Sequence, residues 1–315
     1  MIKTAMILGA GFGRRLQPLS LIQPKPLFQV LNKTMLEWWA EFLISAGVRR
    51  IIINVHYQTP LMLERIEYLA AAFKDHLIIA ASAEDELLGT GGALKKAAPF
   101  LGEDNFFVVN SDIFTDFELV KLALKHLANP GRLATLGLLE RPQTAQISLG
   151  ENGRILSFRQ LQPALGEVVR QTYSGIMVVS PAIFNYIPET GASDITDIFL
   201  EALVGGAEIY GWTNDPAIWW DMSTLEDYWS LNRDLAAGRN IIHSTAIVRG
   251  RLLGWNVVGA GAVIEEGAEV ENCVIWPDVL ISGKSVAKNM VIVGVLPPGR
   301  RLVGGGFCGE FISAA

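Results

Sequence analysis

The chain of 315 residues has only two cysteines, Cys273 and Cys308. Two thiols cannot build a disulfide framework, and their spacing matches no metal-binding pattern, so neither a disulfide scaffold nor a zinc module is indicated. Runs of lysine or arginine are missing too, and the formal net charge is −6. Without a basic stripe to track phosphates, no nucleic acid partner is expected. Small phosphorylated ligands stay open, since a few aimed cations suffice for them. No apolar stretch approaches the roughly 20 residues that a membrane span needs. The first residues pass from one lysine into a short apolar run with no small-residue cleavage site, which reads as a first strand rather than a signal peptide. The expectation is a cytoplasmic protein with no membrane partner. Apolar material is plentiful: half of the residues are hydrophobic, enough for one large or two smaller packed domains and contrary to disorder.

From residue 3 to about 130, strand-like and helix-like segments alternate. "KTAMIL" precedes a glycine-rich loop and the amphipathic "MLEWWAEFLISAG". "RIIINV" (50–55), a helix over 60–73, "HLIIAA" (76–81), a turn "LLGTGGAL" entering a helix, and "NFFVVNSD" (105–112) follow. Short β-rich runs separated by helical patterns predict βαβ units and a Rossmann-like, mostly parallel sheet flanked by helices. Between 132 and 222 the pattern is less regular, with strands at "RLATLGLLE" and "QTYSGIMVVS" and a hairpin "AQISLGENGRILSF" turning at Glu151-Asn152-Gly153. "STLEDYWSLNRDLAAG" reads as a closing helix. After about 243 an apolar residue recurs every six positions, as Leu252, Val258, Ile264, Val270 and Trp276, and again as Ala262, Ala268, Val274, Leu280, Val286 and Ile292. This period predicts a short C-terminal left-handed parallel β-helix of hexapeptide repeats, about three coils long. The expected domains are 1–240 and 241–315, with the last residues packing loosely as a tail.

The opening loop, "ILGAGFGRRLQPLS", places Gly9, Gly11 and Gly13 directly after the first strand. Glycines there let backbone N–H groups approach a ligand closely. A dinucleotide fingerprint needs Gly-x-Gly-x-x-Gly, but its third glycine falls on Arg14 or Leu16 in the two possible registers. A Walker loop fails as well, because "GKS" at 283–285 has no glycine five residues upstream.

Gly11-x-Gly13-x-Arg15-Leu16, "PLS" at 18–20 and "PKPL" at 24–27 together resemble the signature of the sugar-1-phosphate nucleotidyltransferases. "LGTGGAL" (88–94), "VVNSD" (108–112), "TYSGI" (172–176) and "WWDMST" (219–224) follow in the same order. The resemblance covers residues 1 to about 240; the catalytic part is most similar to N-acetylmuramate-1-phosphate uridylyltransferases, the tail to mannose-1-phosphate guanylyltransferases. It implies Mg²⁺-dependent transfer of a nucleotidyl group from a nucleoside triphosphate to a sugar 1-phosphate, releasing pyrophosphate. By the same resemblance the backbone of Leu8, Gly9, Ala10, Gly11 and Gly13 would hold the nucleotide, with Glu84, Gly91, Gly92 and Asn110. Arg15 would sit on the triphosphate and Lys25 on the phosphates of both substrates. Asp112 and Asp221 would hold the metal, and Ser174 and Gly175 would face the sugar. A phosphate nucleophile is already ionised near neutral pH, its second pKa being about 6, so no general base is required.

Each position also has a plainer reading. Asp112 and Asp221 could instead cap helices, and Arg15, Lys25 and Glu84 could be solvated charges, in each case the lesser alternative. Trp38 and Trp39 fit a core or interface stripe. His243 invites an acyltransferase reading of the tail, against which stand the short array and the lone histidine. Relatives carry a Phe-x-Glu-Lys-Pro stretch, but here it reads Phe158-Arg159-Gln160-Leu161-Gln162-Pro163 and the lysine is missing. Arg159 or Lys25 would have to replace it, and a catalytically silent regulatory homologue is the alternative this opens. The tail is expected to assemble the chain into a homo-oligomer, most simply a dimer.

Overall fold

The structure, a computed structural model, describes residues 1–159, 164–216 and 218–308, with side chains described through residue 304. Contacts gather the chain into two compact units. One comprises Met1–Phe12, Ser20–Pro26 and Leu36–Trp219, the other Gly13–Leu19, Leu27–Met35 and the chain from Trp220 on. Grouping by contact thus differs from a single cut at residue 240.

The first unit is built on a nine-stranded sheet. Its parallel part consists of β1 (Thr4–Leu8), β2 (Arg50–Val55), β3 (Ile78–Ala83) and β4 (Phe106–Asn110), interleaved with α1 (Met35–Ser45), α2 (Thr59–Ala72) and α3 (Gly89–Leu101). β1 lies between β2 and β4, parallel to both, so that Leu8 is level with Asn54 on one side and Asn110 on the other. Their cores, such as Ala5-Met6-Ile7 and Phe106 to Val109, are fully buried, the unbroken apolar pattern of strands covered on both faces.

The rest of the unit comprises β5 (Ile113–Thr115), which lies outside the nine-stranded sheet, then α4 (Leu119–Leu127), β6 (Arg132–Leu139), β7 (Ile147–Leu149), β8 (Ile155–Phe158), β9 (Val169–Val179), α5 (Ile195–Val204) and β10 (Glu208–Thr213). β9 makes the sheet mixed: its first residues run antiparallel to β7, its last antiparallel to β4, and β6 flanks it antiparallel with β10 parallel beyond. The predicted hairpin is present as β7 and β8, with Asn152 and Gly153 both at positive φ. α5 and β10 were not foreseen. α5 has a start signal in Asp194, whose carboxylate accepts the Thr196 N–H at 2.7 Å.

In the second unit, α6 (Leu225–Ala236) begins with a capping box in which Thr224 and Asp227 satisfy each other's backbone N–H groups. Beyond it, β11 (Asn240–Ile242), β12 (Arg251–Val258), β13 (Glu269–Ile275), β14 (Val286–Ile292) and β15 (Arg301–Cys308) form a five-stranded parallel sheet. Four two-residue strands, from Ile247–Val248 to Val295–Leu296, form a second. Successive strands pair residues about one coil apart, as in Leu252 with Val270 and Val270 with Ala287. The chain turns at left-handed residues that are Gly254, Asn272 and Asn289 in successive coils, types that tolerate such φ. Asn272 donates to the Asn289 side-chain oxygen at 3.0 Å. Part of the expected loose tail is β15, paired with β14, and of that tail residues 309–315 lie outside the described residues. Phe28, Tyr228 and Trp276 form an edge-to-face cluster, with the Tyr228 hydroxyl donating to the Gln29 carbonyl at 2.7 Å and accepting from Trp276 Nε1 at 3.0 Å. Cys273 is buried in the stack and burial pushes its thiol up to about 12, so it stays protonated and unreactive.

In the first unit His126 of α4 is buried against β6, its Nδ1 3.0 Å from Thr135 Oγ1. Burial, reinforced by the nearby Arg132, lowers its pKa to about 4. Unfolded, the imidazole titrates near 6.5, so between those values the unfolded chain binds the extra proton and stability falls as pH falls. The expected slope from this group is up to about 1.4 kcal/mol per pH unit. Urea unfolding from pH 7 to 4 should show that component in the wild type and its loss in His126→Asn.

Candidate active site

β1 and β4 are neighbours, but the chain leaves β1 toward β2 and β3 and only later returns to place β4 on the other side. Their carboxyl ends therefore flank a switch point, where open parallel sheets bind ligands. Several sequence candidates fall there. Leu8 and Asn110 are register partners, and the Leu8 carbonyl accepts the Ser111 N–H at 3.3 Å. Asp112 follows in the turn to β5, with Lys25 Nζ 2.5 Å from its Oδ2 and both side chains largely shielded. That contact removes the plainer readings: Lys25 is not a solvated surface charge, and α4 begins only at Leu119 with Glu118 at its N-cap, so Asp112 caps no helix.

Gly9 is held by a relay. Its N–H donates to Asn54 Oδ1 at 2.8 Å, Asn54 Nδ2 donates to Glu84 Oε1 at 2.8 Å, and Glu84 Oε2 accepts the Leu88 N–H at 3.0 Å. Glu84 is only 4% exposed. Both of its oxygens thus serve the protein, tying the glycine loop to the start of α3, a task different from the base contact that the resemblance suggests. Asn54 was missed from sequence; the available signal was one amide among the apolar residues of "RIIINV". A Cβ on Gly9 would lie 3.1 Å from the Asn54 carbonyl oxygen, whereas one on Gly11 would meet nothing within 4 Å. Gly11 is exposed and leaves its backbone open to whatever lies outside, and Ala10 between them is buried.

Gly91 and Gly92 are spent on packing. Their N–H groups point to the Ser193 carbonyl at 2.8 and 3.4 Å, and a Cβ on Gly91 would come 2.4 Å from Ile198 Cδ1. These glycines let the segment before α5 seat on the first turn of α3. Gly175, at φ +84°, occupies the bulge of β9 against β6, and a Cβ there would lie 2.6 Å from Ile113 and 3.4 Å from the Asn110 side chain. It sits beside the ends of β1 and β4, while the Ser174 side chain is wholly buried and its carbonyl accepts Trp219 Nε1 at 2.9 Å. Arg159, a candidate substitute for the missing lysine, faces Asp194 at 3.7 Å; Gln160 to Pro163 lie outside the described residues.

The second unit carries the rest. Gly13 adopts φ +61°, accepts the Leu16 N–H at 2.9 Å, and starts a turn that leaves Arg15 exposed. Asp221 precedes α6 but does not cap it, since Thr224 does. In the first unit, Trp39 is a core residue, as one plain reading held. His243 forms a local turn with Thr245, its Nδ1 2.9 Å from Thr245 Oγ1.

Among the described residues no group of three or more His, Cys, Asp or Glu side chains gathers to cage a metal, and no helix is long and apolar enough to cross a membrane. One or two carboxylates such as Asp112 do not suit a zinc cage. They do suit Mg²⁺, which keeps waters and takes further oxygens from substrate phosphates.

Fold and site together define an α/β nucleotide-binding domain with a glycine loop and a lysine–aspartate pair at the switch point. Residues 4–238 match the nucleotidyl transferase family, and the chain belongs to it. It is 30% identical to a UTP–glucose-1-phosphate uridylyltransferase of Synechocystis sp., over 95% of this chain and 85% of that protein. It is 32% identical to a mannose-1-phosphate guanylyltransferase catalytic subunit beta of Drosophila melanogaster, over 71% of this chain and 60% of that protein. A UDP-glucose pyrophosphorylase solved with UDP-glucose shares the fold, with a TM-score of 0.63 at 18% identity over 76% of this chain and 100% of that one.

The relay gives a direct test. Glu84→Gln replaces one of two buried acceptors by a donor facing an N–H, and should cost about 1–3 kcal/mol in urea denaturation. Unchanged stability would mean that the carboxylate does not hold the two loops together.

Proposed function

We propose that this chain transfers a nucleoside monophosphate from a nucleoside triphosphate to a sugar 1-phosphate, giving an NDP-sugar and pyrophosphate. The observation that carries the reading is the Lys25–Asp112 pair at the carboxyl ends of β1 and β4, next to a glycine loop, in a chain of the nucleotidyl transferase family. A sugar-phosphate oxygen attacks the α-phosphorus in line. The bond from that phosphorus to the oxygen bridging toward the β-phosphate breaks, and pyrophosphate leaves with the electron pair. The protein's work is to position two anions and neutralise growing charge, for which no covalent intermediate is needed. Lys25 binds phosphate oxygens, Arg15 meets the triphosphate, and the backbone from Leu8 to Gly13 holds the nucleotide, with Asn110 beside it. Glu84, Gly91 and Gly92 act by shaping the loop and the turn that border the base. Asp112 and Asp221 would hold Mg²⁺, which when bound supplies charge neutralisation on the phosphates. Ser174 and Gly175 contribute the backbone of the sugar-facing bulge. The activity is assigned to residues 1–240 and to the cytoplasm.

Pyrophosphate release with Mg²⁺, crossing nucleoside triphosphates with a panel of sugar 1-phosphates, tests this. One productive pair, with release reduced by about a hundredfold or more in Asp112→Asn, is the expected result. A folded protein that binds nucleotide but is silent across the panel would leave the regulatory reading in its place.

For the C-terminal segment, 241–315, we propose a left-handed hexapeptide β-helix that joins two chains into a dimer. Support comes from the stacked parallel strands, the buried staves Val258, Ile264 and Val270, and exposed Ile242 and Ile247 in the first coil. Light scattering at micromolar concentration should give twice the chain mass, and a monomer would overturn the assembly.

A further inference from the structure

Arg141 follows β6, and its backbone is pinned. Its N–H donates to the Leu139 carbonyl at 3.0 Å, and its carbonyl accepts Thr172 Oγ1 at 2.8 Å and the Thr144 N–H at 3.2 Å. The guanidinium carbon lies 4.8 Å from the centre of the Trp219 ring, and Trp219 is itself tethered to the Ser174 carbonyl. The Nε of Arg141 is buried with no hydrogen-bond partner, and among the described residues no carboxylate pairs with the guanidinium. Other arginines of the unit have protein acceptors: Arg170 pairs with Glu167 at 2.9 Å, and Arg132, stacked on Tyr210, donates from its terminal nitrogen to the Lys125 carbonyl, although its Nε, like that of Arg141, is buried without a partner.

A partly buried cation with no counter-charge is unfavourable unless something supplies one. The fork of donors on a guanidinium fits an oxyanion, carboxylate or phosphate, in two parallel bonds. Stacking on Trp219 fixes the plane of the fork without using its donors. The stack is tied to Ser174, next to the Gly175 bulge that borders the ends of β1 and β4.

We propose that Arg141, oriented by Trp219, is the receptor for an oxyanion carried by the sugar substrate. This rests on the nucleotidyl-transfer reading above and adds a binding residue to it. The oxyanion is either the 1-phosphate itself or a carboxylate substituent on the sugar.

The test is steady-state kinetics of wild type, Arg141→Met and Arg141→Lys with two sets of sugar 1-phosphates, one with neutral rings and one with a ring carboxylate. Calorimetric titration of the same compounds and thermal melting by circular dichroism run alongside. In Arg141→Met the KM for sugar 1-phosphate should rise about tenfold or more, with the KM for nucleoside triphosphate and the melting temperature unchanged and a partial return in Arg141→Lys. A rise for both sets assigns the 1-phosphate, and a rise confined to the acidic set assigns the carboxylate. An active wild type whose Arg141→Met variant keeps both KM values within about twofold would overturn the role of Arg141 and leave the transfer reading standing. If the wild type releases no pyrophosphate but binds a sugar 1-phosphate, a loss of that binding in Arg141→Met still supports the receptor while the transfer reading falls. If it neither reacts nor binds, both fall.

Discussion

The candidate site depends on β1 having a parallel neighbour on each side while the chain connects to them in opposite directions. A strand hydrogen-bonded on both edges cannot shift register without breaking two ladders at once. Leu8 is therefore locked level with Asn54 and Asn110. Because the two connections diverge, a switch-point crevice is expected beyond the ends of β1 and β4. Asp112 and the glycine loop emerge at that crevice, and Lys25 reaches it from a turn held in the same unit.

Around that crevice the glycines divide by what a methyl group would strike. At Gly91, Gly92 and Gly175 it would strike the protein itself, so these positions are fixed by close approach of one segment to another. At Gly11 it would strike nothing of the chain. A motif read only as a string of glycines merges these two kinds of demand. The same holds for Glu84, whose place in an acidic run suggests a solvated or ligand-reading group. Its burial and its bonds to Asn54 and Leu88 instead make it a brace for the loops that surround a ligand.

These cases mark what the sequence could and could not convey. The parallel strands of the first unit were legible because apolar runs between helical patterns carry their own signal, and the β-structure of the C-terminal segment because its apolar residues recur. α5 and β10 were not, since they lie beyond the regular alternation and α5 is announced only by the Asp194 cap. The extent of β15 escaped because glycines at 304–306 dilute the apolar period. Within the site, Lys25 and Asp112 were marked by ordered motifs, but their contact spans 87 positions of chain and exists only once β4 has returned beside β1. Asn54 and Arg141 carry no motif at all. Their importance lies in which donors and acceptors are satisfied, and that is a property of packing.

Charge accounting separates two cations of the first unit, Lys25 and Arg141. Lys25 has its carboxylate at 2.5 Å, so a phosphate arriving there competes with Asp112 for the ammonium unless another cation takes over the aspartate. On the proposed function, a divalent cation held by Asp112 and brought in with nucleotide phosphates would do both at once, and charge would then link nucleotide binding to release of Lys25. Arg141 has no such partner to give up. Its guanidinium is held flat by an aromatic ring rather than by an acid, and an oxyanion docking there gains a charge-assisted contact without breaking an existing ion pair. A site that must gather two polyanions gains from having one cation released by the first and another already open for the second.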